Sequence, residues 1–239
     1  MYKNDKFSIY HINIESVKSK LDSLQAIVKT LDVNLVTVCE THLRKSDKFN
    51  LEGYKCFTKN RQSASKGGVA TCVREDLAIN TLKVSEGSNN DEYIVTRHGQ
   101  FDPAINDINL YGNQESRQSA DQIKESWDKI LEEMSRIEAK NENLVLLGDL
   151  NRHIGLAVEN NHEKTTLGGK LLLSLLDNEE YVLVNALDKT KGGPFTRFDR
   201  RSPNDDSKKS LLDLVIVSRN LLRYVEKLEI DRNQGMDTM

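Results

Sequence analysis

Six polar side chains lie within or directly after apolar stretches of this sequence, where a polar group costs free energy unless it is paired. Two belong to Gly148-Asp149-Leu150-Asn151, which follows the apolar run 144–147. Asp213 interrupts another apolar run, residues 211–217. The full set is Asn13, Glu40, Tyr111, Asp149, Asn151 and Asp213. Each has a plain alternative, such as a turn, a core amide or a solvated loop, but one shared site explains them together.

The ligand chemistry of this set indicates which cation it could bind. Carboxylate and amide oxygens suit hard cations, so the residues favour Mg²⁺ or Mn²⁺. The five histidines form no zinc-binding pattern. The sequence contains no Gly-x-x-x-x-Gly-Lys-Ser/Thr phosphate loop and no Gly-x-Ser-x-Gly elbow, which argues against an NTPase and against an ordinary serine hydrolase.

Composition narrows the class of protein. The 239 residues suffice for one large domain or two small ones, and 37% hydrophobic with 30% charged residues is typical of a globular protein. The net charge of −3 predicts no strong general affinity for nucleic acid, although it permits a local basic surface. No run of 18 apolar residues occurs, and the first residues are polar, so we expect neither a membrane span nor a secretory signal.

The three cysteines have no spacing typical of a metal site. Cys39 and Cys72 lie in apolar runs, which predicts buried thiols. This usage fits a reducing compartment, and we expect the protein to be intracellular.

The hydrophobic pattern predicts about ten strands and three substantial helices, with β-α-β units and hairpins in one chain. Predicted strands cover residues 7–14, 34–39, 54–57, 67–74, 92–97, 105–111, 144–147, 181–185, 195–198, 211–218 and 224–231. Predicted helices cover residues 17–31, with Ser16 as N-cap, 116–140 and 167–176. We expect one α/β (α+β) domain over residues 1–239, with two mixed β-sheets packed face to face and helices outside. The alternative is an α/β domain with a β-rich insertion between Asn50 and Tyr111.

Five short motifs occur in an order that resembles a known superfamily. They are Ile12-Asn13-Ile14, Val38-Cys39-Glu40-Thr41, Leu110-Tyr111-Gly112-Asn113, Gly148-Asp149-Leu150-Asn151 and Ser210-Leu211-Leu212-Asp213. The set resembles the endonuclease/exonuclease/phosphatase superfamily, which includes DNase I, apurinic/apyrimidinic endonucleases and inositol polyphosphate 5-phosphatases. Glu-Thr-His-Leu from Glu40, Gly-Gly-Val-Ala from Gly67 and Ser-x-x-Asp from Ser210 look most like the endonuclease domains of LINE-type (non-LTR) retrotransposons.

The resemblance implies a DNase I-like four-layered α/β sandwich with its site where strand ends of the two sheets meet. It implies Glu40 as the main Mg²⁺ (or Mn²⁺) ligand, with Asn13 beside it. Tyr111 would contact the scissile phosphate, Asp149 would orient or deprotonate the attacking water, and Asn151 would hold the phosphate and Asp149. Asp213 would orient a catalytic histidine near the C-terminus. Substrate contacts are implied for Asn113, Thr196 and Ser210.

The end of the sequence departs from the superfamily pattern, which closes with Ser-Asp-His. Here the last five residues are Gly235-Met236-Asp237-Thr238-Met239. Either Asp237 is the motif's aspartate with Thr238 in place of histidine, or the sequence stops before the motif. We favour the second interpretation, and under both we expect weak or absent hydrolysis by this polypeptide. We expect His153, which follows a turn, to be exposed and not to replace the missing histidine.

Three functional hypotheses follow. The first is a Mg²⁺-dependent endonuclease that nicks one strand of double-stranded DNA, with a reverse transcriptase domain further along the full polypeptide and a nuclear site of action. The second is a phosphoinositide phosphatase of the same fold. Such an enzyme needs a dense basic pocket, whereas the basic residues of this sequence are scattered over loops; they are Arg61, Lys66, Arg197, Arg200, Arg201, Lys208 and Lys209. The third is a catalytically inactive domain that binds nucleic acid or protein.

Overall fold

The computed structural model describes residues 6–61, 66–88, 91–158, 164–198 and 209–231. Among these residues, the chain divides into two compact units, and the boundary lies between Tyr111 and Gly112. We describe each unit by itself. That residues 1–239 fold as one domain stays a prediction.

The first unit contains seven strands and two helices. In chain order they are β1 (Ile9–Asn13), α1 (Leu21–Leu31), β2 (Leu35–Cys39), β3 (Tyr54–Lys59), β4 (Val69–Arg74), α2 (Glu75–Ala78), β5 (Thr81–Glu86), β6 (Glu92–His98) and β7 (Ile105–Tyr111). One sheet has the order β1-β2-β4-β3. The pair β1 and β2 is parallel because α1 forms the crossover, and the other pairs are antiparallel. Strands β5, β6 and β7 form an antiparallel meander.

The core of the first unit follows from strand alternation. Val36 and Val38 of β2 pack with Leu24 and Val28 of α1 on one side of the four-stranded sheet. On the other side, Cys39 packs against β4 and against Ile94 of β6. The buried Asn109 side chain links β7 to β4 by donating to the Ala70 carbonyl at 2.8 Å.

The second unit combines two helices with several short strands. In chain order they are α3 (Ala120–Glu138), β8 (Asn143–Asp149), α4 (Leu167–Leu176), β9 (Tyr181–Leu183), β10 (Thr190–Lys191), β11 (Arg197–Phe198), β12 (Lys209–Ser210), β13 (Asp213–Ser218) and β14 (Leu228–Glu229). Strand β13 runs antiparallel between β8 and β9. Strands β10 and β14 are parallel, and β11 and β12 are antiparallel.

The helices α3 and α4 each begin directly after a residue whose side chain caps the helix. Ser119 caps α3, and Gln122 returns the contact to the Ser119 backbone, so the pair forms a capping box. Thr166 caps α4 by accepting from the Gly169 N–H. Trp127 is buried on α3 and belongs to the core. None of the helices formed by the described residues combines the length and the apolar character that a membrane span requires.

Several sequence predictions about elements are wrong. Helix α1 begins at Leu21 and Ser16 makes no capping hydrogen bond, because a 3₁₀ turn at Val17–Ser19 precedes the helix. Strand β13 begins at Asp213, so this aspartate is its first residue and not an interior one. Most of the predicted strand 224–231 is irregular, and only Leu228–Glu229 pairs. The pattern also missed β5, whose exposed Leu82 hides the usual alternation.

The cysteine prediction is half confirmed. Cys39 is a buried free thiol. Cys72 is not a thiol, because it forms a disulfide with Cys56. These two residues lie directly opposite each other on the antiparallel strands β3 and β4. The sequence does not reveal the register of the two strands, and the register creates the pair.

Candidate active site

Three of the predicted site residues meet in the first unit. Glu40 directly follows β2 and has a left-handed backbone conformation, with φ of +54°. Its Oε1 accepts hydrogen bonds from Asn13 Nδ2 at 2.9 Å and from the Tyr111 hydroxyl at 3.0 Å. Asn13 ends β1 and Tyr111 ends β7, so these three strands deliver their last polar residues to one place.

The environment of Glu40 favours its ionised form. Burial by itself raises the pKa of this carboxyl group. The hydrogen bonds from Asn13, His42 and Tyr111 outweigh burial, so the pKa of Glu40 lies below its ordinary value. The group therefore carries a negative charge at neutral pH, the form in which a carboxyl group binds a divalent cation.

His42 joins this group, and sequence reasoning gave it no role. Its Nε2 lies 3.1 Å from Glu40 Oε2. The backbone of His42 is also left-handed, with φ of +53°. Its N–H donates to the Gly67 carbonyl at 2.8 Å, and the Thr41 N–H donates to the Gly68 carbonyl at 3.1 Å. The only available signal in the sequence was the position of a histidine two residues after the predicted ligand.

The buried carboxylate of Glu92 stabilises the loop 40–42 indirectly, through Gly68. Glu92, at the start of β6, is 2% exposed and accepts a hydrogen bond from the Gly68 N–H. It also forms an ion pair with Arg61. Burial raises the pKa of Glu92, and the Gly68 N–H and Arg61 offset part of this effect. Glu92 thus holds the glycine pair that receives the N–H groups of Thr41 and His42.

The donor set at Glu40 fits a divalent cation. Carboxylate and amide oxygens from Glu40 and Asn13 are ligands of the kind that Mg²⁺ and Mn²⁺ take. Among the described residues, no three side chains of His, Cys, Asp or Glu cluster as a metal cage. A cation here would therefore rely on Glu40 and on water, and on Asn13 only through Oδ1, which accepts from the Glu15 N–H at 3.3 Å while Nδ2 donates to Glu40. It would supply positive charge to a phosphoryl group.

The second unit brings together Asp149 and Asn151. Asp149 ends β8, is 6% exposed, and its Oδ1 accepts from the Asn151 N–H at 3.2 Å. Its carbonyl accepts from the Gly112 N–H at 2.8 Å. Asn151 has φ of +50°, and its Nδ2 donates to the Gly112 carbonyl at 2.8 Å. Asp149 and Asn151 therefore fix the segment that begins with Gly112 and Asn113.

Asp213 and Thr196 lie at the start of β13. Asp213 is paired with Asp149 in the register of β13 and β8. Thr196 Oγ1 accepts from the backbone N–H groups of Leu212, at 3.1 Å, and Asp213, at 3.0 Å. The Thr196 N–H donates to the Ser210 carbonyl at 3.0 Å. Thr196 thus holds the strand that carries Asp213, and its contact with DNA stays a prediction.

Two buried residues of the second unit were missed from the sequence. Arg152 is 4% exposed, and its Nη1 donates to the Asn113 carbonyl at 3.0 Å. Burial lowers the pKa of Arg152, and Glu115 opposes this effect. Asn185 accepts from the Val215 N–H at 2.8 Å and donates to the Asp213 carbonyl at 3.2 Å. Both side chains fix the backbone of predicted site residues.

The predicted residues therefore form two groups, one in each unit. The first contains Asn13, Glu40 and Tyr111, and the second contains Asn113, Asp149, Asn151, Thr196, Ser210 and Asp213. His153 is half-buried, so the prediction that it is exposed is wrong. The basic residues Arg200, Arg201 and Lys208, and also Asp237 and Thr238, lie outside the described residues.

Comparisons with known proteins identify the family. The model of the Endonuclease/Exonuclease/phosphatase family matches residues 11–233. A search of curated proteins found no match. A 3'-5' exonuclease (NExo) from Neisseria meningitidis has 22% identity and a TM-score of 0.70, over 92% of this chain and 90% of that chain.

Two further solved structures have the same fold. The AP endonuclease LMAP from Leishmania major has 14% identity and a TM-score of 0.71, over 91% of this chain and 80% of that chain. The endonuclease domain of TRAS1, a telomere-specific non-LTR retrotransposon, has 17% identity and a TM-score of 0.62, over 91% of this chain and 88% of that chain.

These likenesses confirm the predicted DNase I-like fold class of two mixed β-sheets with helices. They also support an enzyme fold of the nuclease or phosphodiesterase type, in a family whose enzymes generally depend on divalent metals. The match over residues 11–233 shows that this chain belongs to the endonuclease/exonuclease/phosphatase family.

Proposed function

We propose that this chain is a Mg²⁺-dependent (or Mn²⁺-dependent) endonuclease that nicks one strand of double-stranded DNA, of the type found in non-LTR retrotransposons. The observation that carries the proposal is the Glu40 carboxylate, held ionised at the ends of three strands by Asn13 and Tyr111. The TRAS1 endonuclease domain and a NExo structure bound to a product DNA hairpin, both similar in fold, support DNA as the substrate.

The residues divide the chemistry of hydrolysis between them. Asp149 accepts the proton of the attacking water at its carboxylate, a step that contributes roughly 10²–10⁴-fold in other enzymes. The Asn151 amide has two N–H groups. One donates to the Gly112 carbonyl, and the second can donate to a phosphate oxygen. The Tyr111 hydroxyl contacts the scissile phosphate. A cation held by Glu40 would supply positive charge to the phosphoryl oxygens.

A plasmid-nicking assay tests the proposal. Supercoiled DNA is incubated with the protein in excess, with Mg²⁺, with Mn²⁺ or with EDTA, and nicked circles are quantified. We expect Glu40→Gln and Asp149→Asn to lower the nicking rate by ~10²-fold or more. Glu86→Gln, which removes a charge from an exposed pair with Lys83, is the matched control and should leave the rate unchanged. Nicking by Glu40→Gln at the parent's rate would contradict the proposal.

The assay also addresses the alternatives. A panel of phosphoinositides incubated under the same conditions separates an endonuclease from a phosphoinositide phosphatase. Arg61, one of the basic residues that such a phosphatase would need, is engaged with the buried Glu92, which disfavours this alternative. Because the sequence predicts weak or absent hydrolysis, the rates are compared with a reaction that lacks protein, and a parent that nicks no faster than that reaction favours the catalytically inactive alternative. Action in the nucleus and an accompanying reverse transcriptase domain are further parts of the proposal.

A further inference from the structure

The two oxygens of Glu40 have different surroundings. Oε1 accepts from Asn13 and from Tyr111, so its hydrogen-bonding capacity is largely used. Oε2 faces His42 Nε2 at 3.1 Å, and within the described part of the chain it makes no other hydrogen bond. The side chains of Glu40 and His42 are 20% and 17% exposed, so an ion from solvent can reach both. The oxygen with the greater capacity to bind a cation therefore lies beside an imidazole nitrogen.

The backbone directs His42 toward Glu40. Both residues have a left-handed conformation, with φ of +54° at Glu40 and +53° at His42. Such a conformation costs of order 1–3 kcal/mol for a residue other than glycine, and it persists only where surrounding contacts enforce it. Here the contacts are the hydrogen bonds from the 41–42 backbone to the glycine pair Gly67-Gly68, which the buried Glu92 holds. The pairing of the two side chains is thus built into the loop.

The distance between the two atoms also suits joint coordination. Mg²⁺ and Zn²⁺ bind nitrogen or oxygen ligands at about 2.0–2.2 Å. Two ligands at a right angle around such an ion are then ~3.0 Å apart, by the geometry of an octahedral site. The observed separation of 3.1 Å is close to this value. The hydrogen bond between Glu40 and His42 would be replaced by two bonds to the ion with little movement of heavy atoms, once the Nε2 proton has left for solvent with Nδ1 keeping its own.

We propose that His42 Nε2 and Glu40 Oε2 bind the divalent cation together, so that this site contains one imidazole ligand and prefers first-row transition ions over Mg²⁺. Imidazole nitrogen is a ligand for transition metals, whereas Mg²⁺ takes oxygen ligands and retains its water. The inference rests on the proposed cation site at Glu40. The competing explanation is that His42 only donates a hydrogen bond that orients Glu40.

The test uses Mn²⁺ as a paramagnetic probe of the full chain, in the absence of DNA. Electron spin-echo envelope modulation detects an imidazole nitrogen bound to Mn²⁺, and titration of the free Mn²⁺ signal gives the affinity. His42→Asn is the informative variant, because asparagine tolerates the left-handed conformation that this position requires. His153→Asn is the matched control, since this histidine lies in the second unit. Circular dichroism verifies that each variant is folded.

We expect the parent to show the nitrogen modulation and His153→Asn to retain it. His42→Asn should lose the modulation and bind Mn²⁺ at least ~10-fold more weakly, since the loss of even a group that only orients a metal ligand costs ~10–100-fold. Its affinity for Mg²⁺, measured by competition, should change much less. Mn²⁺ binding that depends on Glu40 but shows no nitrogen would overturn the role of His42 and leave the proposed function intact. If Glu40→Gln binds Mn²⁺ as the parent does, the cation site itself is wrong.

Discussion

Thr196 provides the sharpest test of how the second unit positions Asp213. Its hydroxyl accepts two backbone N–H groups, from Leu212 and Asp213, just where β13 begins. Thr196→Val keeps the shape of the side chain and removes this acceptor. Thr196→Ser keeps the acceptor and removes a methyl group. The two substitutions therefore separate the hydrogen bonds from packing.

The burial of the two donors sets the expected magnitude. Leu212 is 4% exposed, so its N–H loses its partner without access to water, which costs ~1–3 kcal/mol. Asp213 is half-buried, so water can replace part of the hydrogen bond that its N–H loses. The loss of this second hydrogen bond therefore costs ~0.5–1.5 kcal/mol. We expect Thr196→Val to lower the free energy of unfolding by ~1.5–4.5 kcal/mol, and Thr196→Ser by less than ~1 kcal/mol.

Urea unfolding followed by the fluorescence of Trp127 measures this difference. Trp127 is the only tryptophan of the sequence, and it lies in the same unit as Thr196. Thr190→Val is the matched control, because the Thr190 hydroxyl makes a single hydrogen bond, to the Val184 carbonyl at 2.7 Å. It should cost ~0.5–1.5 kcal/mol. Equal losses in Thr196→Val and Thr190→Val would refute the assigned role of Thr196.

Two further predictions concern a glycine and a buried tyrosine. Gly68→Ala should destabilise the protein by more than Gly53→Ala in urea unfolding followed by circular dichroism. Both glycines have positive φ, but of the two only Gly68 has other atoms within 4 Å of an added Cβ, and the nearest is the hydroxyl oxygen of Thr41 at 2.6 Å. Equal losses of stability in the two variants would show that backbone strain alone, and not the contact with Thr41, sets the cost. Burial, with help from nearby Glu138 and Glu180, raises the pKa of Tyr181 to about 12. The folded state then holds this proton more tightly than the unfolded state, so stability should fall as pH rises from 10.0 towards about 12. Tyr181→Phe should show a shallower fall over that range, and an unchanged slope would contradict the shift.

Much of the fold was predictable because its signals are local. The helical period over residues 116–140 predicted α3, and the capping residue Ser119 sets its first turn. The apolar run 144–147 predicted β8, whose last residue is Asp149. These elements depend on periodicity and on neighbours within one or two turns. Short segments failed for the same reason, since β14 pairs only two residues with β10 and has no period of its own.

The residues of the candidate site were likewise predictable only where their signal is local. Polar residues at strand ends are visible in a sequence, and they identified Asn13, Glu40 and Asp149. The residues that support the site cannot be recognised in the sequence, because their partners lie far along the chain. In the sequence, Glu92 resembles any other strand residue and Arg152 any other charged residue. Only tertiary packing buries Glu92 against Gly68 and brings Arg152 to the Asn113 carbonyl.

The sequence by itself determined the family, the order of the main elements and the identity of the polar residues at the strand ends. Tertiary structure alone decided which oxygen of Glu40 faces His42, which cysteine pairs with Cys56, and that Thr196 serves the backbone of Asp213. The physical reason is that each of these contacts depends on strand register and on backbone conformation. Both arise from the packing of distant segments, so no local pattern of residues specifies them.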